Sequence, residues 1–165
     1  MGQDQLREKL VAYIQDAHAM EQNVLQMLGS MIATTKDDEI SQELEHHKVE
    51  TERHVERLRE RIAAHGAQPS TRKHVQSLAG ALMKGVADQV RGDKAGKNAR
   101  DGFVTEHMEI AAYELLERLA DRAGDEETAE IARRNRADEE AMAQKIAANW
   151  DRFVDLTLAE EGIKV

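Results

Sequence analysis

Glu106-His107-Met108-Glu109 lies inside a long run of helical periodicity, and its reading decides how the rest of the chain is understood. The i, i+3 spacing sets Glu106 and Glu109 on one helix face. Phe103, Ala112, Leu116 and Leu119 follow the same face as Glu109. Two carboxylates on a core-facing stripe are costly unless neutralised, and buried charges are usually paired or bound to metal.

Matching donors occur in three other segments. In His47-Lys48-Val49-Glu50-Thr51-Glu52-Arg53-His54, the residues His47, Glu50 and His54 fall at i, i+3 and i+7, again on one face. Glu21 lies among Leu10, Ile14, Ala17, Val24, Leu25 and Leu28, a helical core stripe. Glu139 is in phase with Ala132, Asn135, Met142, Ile146 and Phe153. Four helices thus each place a carboxylate on their apolar side. That arrangement suits a carboxylate-bridged pair of metal ions inside a four-helix bundle.

Composition agrees with an all-α protein in one domain spanning residues 1–165. Charged residues make up 33% and aromatic residues 3%, with one proline. The core must therefore be built from Leu, Ile, Val, Ala and Met. A net charge of −9 argues against general nucleic-acid binding. Between Ser70 and Arg100, seven Lys/Arg stand against two Asp/Glu, which reads as a connector neutralising acidic helices. With no cysteine, disulfides, iron–sulfur clusters and rubredoxin-type iron are excluded. No segment reads as a signal peptide or a membrane span, so the cytoplasm is the expected compartment.

The periodicity predicts helices over about 4–34, 37–65, 70–91, 98–123 and 125–158. Asp37 or Asp38 caps the second, Gly66 and Pro69 end it, and Gly92-Asp93-Lys94-Ala95-Gly96 reads as a loop. Short turns make each pair of long helices an antiparallel hairpin. The long middle connection makes the bundle ferritin-like, with one crossover carrying a short extra helix. A weak repeat supports two related hairpins: Met20-Glu21 recurs as Met108-Glu109 and Leu28 as Leu116 at an offset of 88, and Glu50 as Glu139 at 89.

The segments Asp16–Gln22, Glu45–Leu58 and Glu106–Tyr113 resemble the YciE/YciF-like ferroxidase family of ferritin-like proteins, and the resemblance covers nearly the whole chain. It implies a rubrerythrin-like bundle with a non-haem di-iron centre and a role in stress response. Carried onto this sequence, it implies Glu21, Glu50, His54, Glu106, Glu109 and Glu139 as the metal-binding and catalytic residues, with Glu140 as fallback for Glu139. Rubrerythrin-like sites commonly use E-x-x-H on the fourth helix, but here Met142 follows Glu139 at i+3 and Ala143 follows Glu140. His18 and His47 read more readily as hydrogen-bond partners of ligands, yet either could supply the missing imidazole.

Carboxylate and imidazole ligands suit iron or manganese. On this reading Glu50 and a third- or fourth-helix glutamate bridge two iron ions, Glu21 is terminal and His54 caps one ion. The expected function is a ferroxidase or peroxide-consuming oxidoreductase acting on Fe²⁺ with O₂ or H₂O₂, in a homodimer. A manganese catalase-like enzyme and a non-catalytic structural or interaction bundle are the alternatives. Tyr13 and Tyr113 read as core filler with satisfied hydroxyls.

Overall fold

The computed structural model describes residues 2–70 and 94–164. Among these residues five helices follow in order: α1 Gly2–Thr34, α2 Asp38–Ala64, α3 Lys94–Ala123, α4 Glu126–Ala147 and α5 Trp150–Glu160. No strand occurs among the described residues, and no helix there is long and apolar enough to cross a membrane. The extra helix expected at 70–91 falls on residues outside those described, apart from Ser70, which is not helical.

Local chemistry accounts for the helix ends. Asp37 caps α2 by accepting from the backbone N–H of Glu39 at 3.1 Å and of Ile40 at 3.0 Å. Gly66 ends it at φ 70, a conformation that favours glycine, while Ala67 N–H donates back to Ile62 O at 3.1 Å. Gly124 repeats the device after α3. Two expected boundaries need correction. Lys94–Gly96 are helical rather than looped, because α5 caps them from outside: Glu160 Oε2 accepts from Lys94 N at 2.8 Å, and Thr157 Oγ1 accepts from Gly96 N at 3.0 Å. The expected helix 125–158 is two helices. Asn149 Nδ2 donates to Lys145 O at 2.7 Å, the local side-chain bond that competes with helix continuation, and α5 restarts at Trp150.

Cross-helix contacts fix the topology. Tyr113 of α3 meets Glu21 of α1, while Thr105 meets Met27, so these helices run antiparallel. Arg61–Thr128 and Glu43–Lys145 contacts do the same for α2 and α4. The end of α2 lies beside Asp125, with His65 Nε2 at 2.8 Å from its carboxylate, whereas α3 starts at the opposite end beside Glu160. His65 and Lys94 therefore lie at opposite ends of the bundle, about 40 Å apart for a helix the size of α2. This is the ferritin-like crossover rather than an up-down-up-down order.

The core is in two parts. One cluster holds Leu10, Ile14, Leu58, Ile62, Tyr113, Leu116, Ala120 and Ala132. The other holds Val24, Met27, Leu28, Met31, Leu44, Met142, Ile146 and Phe153. A buried polar layer separates them. Gly29 lies within α1, and a Cβ added there meets nothing within 4 Å among the described residues. Gly29→Ala should therefore raise stability by roughly 0.5–1 kcal/mol through helix propensity. A lower urea midpoint in that variant would show that another surface closes against the glycine.

Candidate metal centre

All four long helices contribute to the polar layer. α1 supplies Glu21, α2 His47 and His54, α3 Glu106 and Glu109, and α4 Glu139, each at most 1% exposed. His54 Nδ1 lies 2.9 Å from Glu139 Oε1 and 3.4 Å from Glu21 Oε1. His47 Nε2 lies 3.3 Å from Glu106 Oε1 and 3.4 Å from Glu139 Oε2. The two oxygens of Glu139 therefore face different imidazoles. The result is two groups, Glu21–His54–Glu139 and His47–Glu106–Glu139, each with donor atoms within 4.8 Å of one another.

Each imidazole is oriented from behind by a carboxylate. His54 Nε2 pairs with Asp138 Oδ2 at 3.0 Å, and His47 Nδ1 pairs with Glu50 Oε2 at 3.3 Å. An N–H donated outward would leave the inner nitrogen to offer its lone pair once a cation displaces the inner proton, as in carboxylate–histidine–metal sites. Behind Glu21 runs a polar chain. Tyr113 Oη donates to Glu21 Oε1, Asn135 Nδ2 donates to Tyr113 Oη at 3.0 Å, and Arg57 Nη1 donates to Asn135 Oδ1 at 2.7 Å. This occupies one oxygen of Glu21 and leaves Oε2 free.

Among the described residues, eight buried side-chain atoms have no hydrogen-bond partner: Glu21 Oε2, His47 Nε2, His54 Nδ1, Glu106 Oε2, and both oxygens of Glu109 and of Glu139. Buried polar groups are nearly always satisfied, so such a concentration in one layer calls for an explanation. The donor set, carboxylates with two imidazoles and no thiolate, fits the harder first-row metals.

The electrostatics agree. Burial pushes the Glu109 carboxyl well above the ordinary range, and Glu21, Glu139 and Glu106 push it further. Burial likewise raises Glu139 to about 8, with His54 working in the opposite sense. Burial alone would lower the two imidazoles. Glu106 and Glu139 outweigh it for His47, raised to about 9, and Glu139 and Glu21 for His54, raised to about 10. Without a metal, the layer balances its charge by holding protons that a cation must displace.

Residues 5–159 match the family described as a domain of unknown function, DUF892. The chain belongs to the DUF892 family. A protein of Xanthomonas campestris pv. campestris is 26% identical, with a TM-score of 0.81 over 96% of this chain and 99% of that one. The E. coli stress protein YciF is 18% identical, with a TM-score of 0.73 over 96% and 98%. A bacterioferritin of Desulfovibrio desulfuricans, a protein with a di-iron site, is 20% identical, with a TM-score of 0.75 over 94% and 85%. At such identities the last two establish the fold, a ferritin-like bundle. The resemblance read from Asp16–Gln22, Glu45–Leu58 and Glu106–Tyr113 is borne out.

Of the residues picked out in this DUF892 sequence, Glu21, His54, Glu106 and Glu139 fall in the two groups. Glu109 is fully buried among the same carboxylates but in neither group. Glu50 is also in neither; its side chain is 22% exposed, behind His47. His47 takes an inner place. His18 is buried but outside both groups, and exposed Glu140 pairs with Arg136 at 3.4 Å. Sequence reasoning passed over Asp138 and Arg57, whose roles depend on how α2 and α4 register. Asn135 carried a signal, a polar residue in phase with an apolar stripe.

Proposed function

We propose that the chain binds two iron ions in the polar layer and is a ferroxidase or peroxide-consuming oxidoreductase. The observation that carries this reading is Glu139, buried and without a hydrogen-bond partner, turned toward a histidine–glutamate group with each oxygen. Glu21 and His54 would hold one ion and Glu106 and His47 the other, with Glu139 available to both groups. Glu109, both of whose oxygens lack a hydrogen-bond partner among the described residues, would be a further ligand. A ferrous pair held there would supply the two electrons that reduce O₂ or H₂O₂.

The chain's own residues do the rest. Asp138 and Glu50 hold the imidazoles in the ligating tautomer, and Tyr113 fixes the carboxylate plane of Glu21. Carboxylates favour the harder, more highly charged ferric ion. The zero exposure of Glu21, His54, Glu109 and Glu139 keeps bulk water from those donors. Description of YciF as a stress protein, and the di-iron site of the bacterioferritin, support the same reading.

Anaerobic titration with Fe²⁺ should saturate at two ions per chain, and O₂ or H₂O₂ should then oxidise them faster than in a Glu21→Ala/Glu139→Ala control. Equal rates in protein and control with both oxidants would sink the proposal. Elemental analysis of protein from its native host decides between iron and manganese.

A further inference from the structure

A cavity of about 420 Å³ opens at the end of the bundle where α1 turns into α2, and runs inward to Glu106. That volume lies within the roughly 300–1,000 Å³ of small-molecule sites. Its inner walls are apolar: Met27, Met31, Leu44, Met142, Ile146 and Phe153 all line it. Three of these six are methionines, whose unbranched side chains adapt to flexible chains. The polar lining residues gather at the mouth, apart from Glu106 at the inner end.

The charges at the mouth are not equivalent. Lys145 is held by Glu43 at 2.5 Å, and Arg152 is shared between Asp37, at 2.8 and 3.0 Å, and Glu39. Glu160 is used by the backbone N–H groups of Lys94 and Ala95. Lys36 and Lys94 line the same mouth, and their ammonium groups have no carboxylate partner among the described residues. An apolar bore with two uncommitted cations at its entrance is complementary to a single-chain anionic amphiphile.

We propose that this cavity binds a long-chain fatty acid, with its carboxylate at Lys36 and Lys94 and its hydrocarbon tail directed toward Glu106. The tail would end beside the polar layer, so the ligand shares a wall with the candidate metal centre. The proposal goes beyond the metal reading and does not depend on it, because the binding groups at the mouth and along the bore are not the metal-binding ones.

The single tryptophan offers a direct probe. Trp150 stacks edge-on against Phe153, a wall residue, at 6.1 Å between ring centroids. In full-length protein treated with a chelator, 9,10-dibromostearate should quench Trp150 emission saturably, and stearate should reverse it. Gly102 lines the bore, and a Cβ there would sit 3.5 Å from Ile146 Cδ1, an ordinary contact, so a larger side chain takes up ligand space. Gly102→Leu should weaken binding at least about tenfold, a loss of about 1.4 kcal/mol. Ala99→Leu, also in the wall, serves if that variant does not fold.

The double variant Lys36→Glu/Lys94→Glu should lose about tenfold in affinity for stearate but none for stearyl alcohol. Absence of saturable quenching in the wild type would overturn the proposal, as would unchanged affinity in the wall variants or equal losses for acid and alcohol in the charge variant. Because the protein is metal-free, a failure here leaves the iron titration unaffected. Saturable binding by protein that takes up no iron would separate the two readings in the other direction.

Discussion

In Glu139→Gln, both iron equivalents are expected to weaken together, each by more than about 100-fold, beyond the usual effect of losing an outer-shell partner. The glutamine keeps the shape but has one oxygen where the carboxylate offers two, and those two face different imidazoles. Loss of one equivalent with the other intact would show that Glu139 is not shared. A second readout needs no metal. His47 and His54, raised to about 9 and 10, contribute stability that is present below about 6.5 and lost as pH rises through those values. Glu139, raised to about 8, keeps in the fold a proton that the unfolded chain releases near 4.3, so it too makes stability fall with rising pH. The thermal midpoint of the metal-free wild type should therefore decline between about pH 6 and 9. In Glu139→Gln the decline should be shallower; an equal slope would remove Glu139 from this balance.

Asp125→Ala should destabilise the fold by about 2–4 kcal/mol near neutral pH, combining a lost helix cap with the loss of one of the two carboxylates that hold the buried Arg61, which keeps only Glu127. Asp125 Oδ1 accepts from Thr128 N at 3.1 Å and from Arg61 Nη2 at 2.8 Å, and Oδ2 accepts from Thr128 Oγ1 at 2.6 Å and from His65 Nε2 at 2.8 Å. Burial works to raise its carboxyl, but Thr128, His65 and Arg61 prevail and hold it at about 2. A depressed carboxyl contributes stability that is present above its unfolded value of about 3.9 and disappears as pH falls through the folded one. Urea unfolding should thus separate wild type and variant widely at pH 7 and progressively less toward pH 2. A gap that does not change with pH would mean that the charge of Asp125 is not what ties α2 to α4.

Much of this was legible in the sequence because burial and helical phase are local properties. Glu21, Glu106 and Glu139 sit on apolar stripes, and each is buried as its stripe requires. Helix α2 shows where the reading loses resolution. At about 100° per residue, His54 lies about 20° from His47, and Leu58 about 20° on the other side, whereas Glu50 lies about 60° away. Thr51 and Leu58 are fully buried, so the centre line runs through the histidines, and Glu50 falls at its edge. The repeat that pairs Glu50 with Glu139 relates helices, not places in the layer, since one is partly exposed and the other buried. Asp138 reaches His54 only through the register of α2 on α4, and the break at Asn149 depends on one side-chain bond. Apart from Ser70, which is not helical, the extra helix expected at 70–91 lies outside the described residues.

The division of the apolar interior into two clusters has a mechanical consequence. Hydrophobic contact holds each end of the bundle, but at the waist it is replaced by acids and imidazoles that repel or titrate. Cooperativity between the halves must pass through that waist. The half that contains Leu58 and Ile62 is further fastened by the Arg61–Asp125–His65 knot, while the other half contains the open cavity. A cation at the waist would act as a rivet, coupling two segments that otherwise unzip separately, so the bound ion would decide whether the protein melts as one body or from one end.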